Sequence, residues 1–143
     1  MKPILLAAAA LMFVATHQAA AQSFVLVVNA KNPVRELTRD QAARLFLKKV
    51  VKWSDGSAVE PVDQEKSSRA REAFTQRVLT RSVDAVEIYW QAQIYAGKDL
   101  PPTIKRTDSD VLTFVSNDER AIGYVSSGAS LPSDVRVVPI SGT

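Results

Sequence analysis

The segment from Val62 to Phe74, VDQEKSSRAREAF, gathers side chains suited to holding an anion. Ser67 and Ser68 offer hydroxyl donors. Lys66, Arg69 and Arg71 bring positive charge to the same turn, and an arginine can grip an oxyanion with two parallel hydrogen bonds. The pattern reads as a strand end, a polar loop and a helix start. At a helix start the first backbone N–H groups lack internal partners, and the dipole adds partial positive charge, so a bound anion satisfies both. A plainer reading fits the same residues. Serine at a helix start is a common N-cap, Arg69 and Arg71 suit a solvated face, and Arg71 has Glu72 and Glu87 as acidic partners. Basic residues in a first turn oppose the dipole unless an anion is present, which favours the binding reading.

The start of the chain has the pattern of a secretory leader. Lys2 supplies the positive flank, Ile4 to Ala15 is an uncharged apolar run, and Ala19 to Ala21 are small residues before Gln22. The run is shorter than the ~20 apolar residues of a membrane-spanning helix. Cleavage after Ala21 is expected, giving a leader over 1–21 and a single domain over 22–143 in the bacterial periplasm. With no cysteine in the chain, no lipid can be attached to an N-terminal cysteine of the product.

Several chemistries are excluded by composition. The only histidine is His17, inside the leader, and cysteine is absent. A Ser-His-Asp triad, a thiol nucleophile, a disulfide and the usual zinc sites therefore have no residues to build them. Asp63 and Glu65 read as solvated loop carboxylates, so neither an enzyme nor a metal or cofactor is expected. The formal net charge of +3 is a mild surplus spread along the chain, without interleaved aromatics. Nucleic-acid binding has no support.

The elements that must position the anion segment follow from pattern. Phe24 to Asn29, FVLVVN, is a continuous apolar run suited to a strand buried on both faces. Asn32-Pro33 marks a turn. Thr38 to Gln41 has capping-box spacing with Leu37 as a staple, opening a helix that runs to about Lys49. Ser54 to Ser57 is a turn, and Val59 to Val62 a short strand interrupted by Pro61. Helices are predicted at about Ser68 to Leu79, from Ser82 to a stop at Gly97, and from Thr107 or Asp108 onward. Ala121 to Val125 and Val135 to Ile140 close the chain as strands. Strands alternating with helices argue for an α/β layered domain.

In order, VVNAKNPVRELT (Val27 to Thr38), RLFLKKVVKWSDG (Arg44 to Gly56), SSRAREAF (Ser67 to Phe74), YWQAQIYAGKDLPP (Tyr89 to Pro102) and AIGYVSS (Ala121 to Ser127) resemble the phosphate-binding subunit of bacterial phosphate ABC transporters. That family lies within the type 2 periplasmic binding proteins. The resemblance spans Val25 to Ser126 and covers the middle lobe of a two-lobed fold, with the first lobe missing. It implies one α/β lobe with a mixed sheet flanked by helices. It also places Ser68 at the serine of the family's Ser-Gly-Thr anion turn and Arg71 at the arginine that often follows. Arg69 and Ala70 stand where the family has Gly and Thr; glycine there lets backbone approach the ligand. Gln64 and Lys66 lie where the family places further polar ligands.

The implied ligand is inorganic phosphate or a similar oxyanion, with an ABC permease or another periplasmic protein as partner. The face left by a missing lobe suits a homodimer. The alternative is a protein-interaction or sensory module that keeps the fold without the ligand. Trp53 and Trp90 read as core or hinge packing, and Tyr124 as packing at the lobe edge.

Overall fold

In the computed structural model, which describes residues 23–142, one of the three inner strands of the sheet pairs antiparallel on both sides. This is β1, Phe24–Asn29. It pairs antiparallel with β5, Ala121–Ser126, and antiparallel with β6, Val135–Val138. Beyond β5 lies β3, Glu60–Gln64, parallel to it, and at the edge β4, Thr103–Lys105, parallel to β3. The order is β4-β3-β5-β1-β6. A separate two-strand pair joins β2, Leu37–Thr38, to β7, Ile140–Ser141. The leader assigned to residues 1–21 lies outside the described residues.

Alternation along the strands divides the core into two layers. Phe24, Leu26 and Val28 of β1 join Ile122 and Tyr124 of β5 on one face. That face is covered by α1 (Arg39–Phe46), by α2 (Arg69–Phe74), and by α3 (Val83–Tyr95) through Val86 and Trp90. Val27, Val62 and Val125 turn to the other face, against Val111, Leu112 and Val115 of α4 (Asp108–Asn117). A Cβ built on Gly123 would come within 2.6 Å of Val62 and 2.8 Å of Val111. The sheet and α4 approach this closely only because position 123 has no side chain.

Local signals account for most boundaries. Thr38 caps α1 with a complete capping box to Gln41. Ser68, Ser82 and Thr107 each accept the N3 amide of the helix they precede. Gly97 follows α3 at φ 63°, the left-handed stop expected there.

Three expectations need correction. The first helix ends at Phe46 rather than near Lys49, and Lys48 takes a left-handed φ of 53°. The helix from Ser68 changes winding: α2 passes into a π-helical turn over Thr75–Leu79 before Thr80 turns left-handed. Finally, the last strand is split by Pro139 into β6 and β7.

Candidate functional site

Because β3 runs parallel to β4 and to β5, their carboxyl ends, Gln64, Lys105 and Ser126, lie along one edge of the sheet. In open α/β sheets this edge is where ligands collect. The chain leaves β3 there to start α2, and leaves β4 there to start α4. Two helix N-termini therefore stand at the same edge as the candidate residues.

Gln64 is the hub. The β3–β5 ladder is made at Glu60 and Pro61, and further along the Gln64 side chain bridges the two strands instead. Its Nε2 donates to the Tyr124 carbonyl at 2.9 Å and to Oδ1 of Asp108 at 3.0 Å. Its Oε1 accepts the Ser68 hydroxyl at 2.6 Å. Ser68 Oγ in turn accepts the Arg71 amide. Oδ1 of Asp108 also accepts the Ser126 amide at 3.1 Å. A carboxylate of the chain itself is thus tied to this edge, a feature not read from sequence.

Arg71 turns inward from α2 and is 4% exposed. Its Nη1 donates to the Gln64 carbonyl at 2.6 Å, and Nη2 lies 3.6 Å from Oδ2 of Asp63. A guanidinium carries five N–H donors, and here Nε is buried without an acceptor among the described residues. Its acidic partner is Asp63, not Glu72 or Glu87. The reading of Asp63 as a solvated loop residue is likewise corrected: it sits in β3 and is 7% exposed. Burial pushes its carboxyl above the ordinary value, opposed by Arg71, by the Tyr124 hydroxyl and by the Gln64 amide. Tyr124 is not at the lobe edge. It is fully buried, stacks on Phe74 at 4.1 Å and donates its hydroxyl to Oδ1 of Asp63. Burial, with the neighbouring carboxylate, pushes that hydroxyl well above its ordinary value, so it remains a donor. The period-2 position of Asp63 in a buried strand was the available sequence signal for this pair, and Pro61 masked it.

The remaining candidates are more open. Lys66 pairs with Asp84 at 2.6 Å and Glu87 at 3.3 Å on α3. These contacts raise its pKa, the hydrogen bond to Asp84 most. Ser67 and Arg69 are exposed, and their side chains make no hydrogen bond or ion pair among the described residues. Glu65 is half-buried and faces Arg106 at 3.5 Å. The structure therefore joins Gln64, Ser68 and Arg71 in one network, turns Lys66 toward α3, and leaves Ser67 and Arg69 free at the rim. Trp53 and Trp90 are buried in the core. Among the described residues no cluster of acidic or histidine side chains is arranged to hold a metal, and no helix is long and apolar enough to cross a membrane.

The sequence model of the PBP superfamily domain matches residues 11–139. No curated protein sequence matches the chain. Among solved structures, the chain is similar to a putative phosphate ABC transporter substrate-binding protein with bound phosphate from Clostridium perfringens. That match has 21% identity and a TM-score of 0.65, over 82% of this chain and 44% of that one. It is also similar to an ABC-type phosphate transport receptor from Vibrio cholerae, with 22% identity and a TM-score of 0.63, over 81% and 45%. A third similar structure is PstS from Borrelia burgdorferi, with 12% identity and a TM-score of 0.65, over 85% and 48%. The chain spans under half the length of these structures and has the fold of a single lobe.

Proposed function

The chain belongs to the PBP superfamily, and from that premise we propose that it is a periplasmic module that captures phosphate or a similar oxyanion without covalent chemistry. The observation that carries this reading is Arg71. A buried guanidinium normally fills its donors, because an unmet donor in the interior carries a full desolvation penalty. Arg71 makes one hydrogen bond and one long ion pair and has an orphaned Nε. An oxyanion supplies several acceptors in the geometry a guanidinium matches. Ser67 and Arg69, exposed in the same turn, offer further donors, while the Ser68 hydroxyl is already given to Gln64 and Lys66 is paired with Asp84 and Glu87.

The names of the similar structures support the ligand class. In this reading the leader is removed after Ala21, and residues 22–143 act as one domain. An ABC permease, or another periplasmic protein, receives the ligand. A single lobe leaves the anion partly in water, where its hydrogen bonds are weak. Pairing of two copies would enclose it.

A second reading, a protein-interaction or sensory module, is favoured by the outer side of α3 and the chain after it. Ile88, Ile94, Tyr95 and Leu100 are exposed there, more apolar surface than a solvated helix needs. The test is thermal melting with added phosphate or sulfate. The oxyanion reading expects a rise that Arg69→Ala and Ser67→Ala diminish. The interaction reading expects no anion response, and a dimer or a defined partner instead.

A further inference from the structure

A cavity of about 210 Å³ opens beside Arg71, between the end of β3 and α3. Arg71, Asp63, Glu87 and Gln91 are its polar members. Trp90, Ile94, Pro101, Pro102 and Ile104 form the rest. Trp90 and Pro102 are buried, while Ile94 and Ile104 are about half exposed at the lip. The wall is therefore mostly apolar, interrupted by Glu87 and Gln91. Such a wall gives a bare tetrahedral oxyanion few donors and strips much of its water. It suits an apolar group.

We propose that this cavity receives the organic substituent of an oxyanion, so that the preferred ligand is a small organophosphonate or organophosphate with an uncharged apolar group. This rests on the oxyanion reading above. The anionic head takes the unmet donor capacity of Arg71, and the substituent packs on Trp90, Ile94, Pro102 and Ile104. Two carboxylates border the same space. Asp63 is held by Arg71 and Tyr124. Glu87, also in the lining, is held by Lys66 at 3.3 Å. Both repel a second negative group, which is why the substituent is uncharged.

The test is calorimetric titration of the purified protein with phenylphosphonate and, separately, with inorganic phosphate, in phosphate- and sulfate-free buffer. The expected result is at least tenfold tighter binding of phenylphosphonate. In Ile94→Glu, at the half-exposed lip of the cavity, the two affinities come together. Phosphate binding as tightly as phenylphosphonate, or a preference that survives Ile94→Glu, overturns the assignment of the cavity and leaves the oxyanion reading standing. A folded sample that binds neither anion overturns both.

Discussion

The carboxylate of Asp63 holds two groups at once: Oδ1 accepts the hydroxyl of Tyr124, and Oδ2 stands 3.6 Å from Nη2 of Arg71. Through that one side chain β3 is fastened to β5 and to α2. Tyr124→Phe keeps the ring that stacks on Phe74 and removes the hydroxyl that donates to Asp63 and accepts the Gln64 amide. A buried acceptor that loses a partner costs about 1–3 kcal/mol. Urea unfolding of the variant should show that loss with an unchanged slope.

Stability should also respond to pH through Asp63. Burial raises its folded-state pKa above the ordinary 3.8, so the native state holds the proton more tightly than the unfolded chain. Its contribution is then fully present below the unfolded value and lost as pH rises through the raised one. Asp63→Asn removes the titration while leaving Arg71 with a pH-independent cost. Melting curves taken upward from about pH 4 should show wild type losing stability relative to Asp63→Asn. A difference that stays flat would mean that Asp63 does not change its protonation state over that range.

Gly123→Ala tests the packing of α4 on the sheet. The added methyl meets Val62 and Val111 at distances no ordinary contact allows. Overpacking of this kind costs about 1–3 kcal/mol. The expected result is a lower melting temperature with no change in secondary structure.

Ser68→Ala removes the N-cap of α2 and the donor to Gln64 Oε1. Loss of a serine cap typically costs about 1 kcal/mol. Denaturant titration measures this directly, and a neutral result would mean that the turn into α2 is held by other contacts.

Much of the fold could be read from the sequence, because its signals are local. The run Phe24 to Asn29, the caps at Thr38, Ser68 and Ser82, and the stop at Gly97 each depend on a few neighbouring residues. Elements that depend on distant partners were hidden. β4 has three residues and exists because β3 lies beside it, and β2 is two residues stitched to β7 from the far end of the chain. The site divided in the same way. Gln64, Ser68 and Arg71 were found as a cluster, but Asp63 was read as a solvated residue because Pro61 weakened the strand around it. Tyr124 was placed at an edge because nothing nearby in sequence marks it as the partner of Asp63. Asp108 reads from sequence only as a helix start, because its bond to Gln64 spans 44 residues.

The most direct test of the account is isothermal titration of the purified protein with inorganic phosphate in phosphate- and sulfate-free buffer at low salt. The account predicts saturable heat at one site per chain, or one per two chains, weakened at least tenfold in Arg71→Lys, which keeps the charge and loses the fork. No heat up to millimolar phosphate from a folded sample, with phenylphosphonate equally silent, would contradict it and turn the exposed face of α3 into the place to look for a partner.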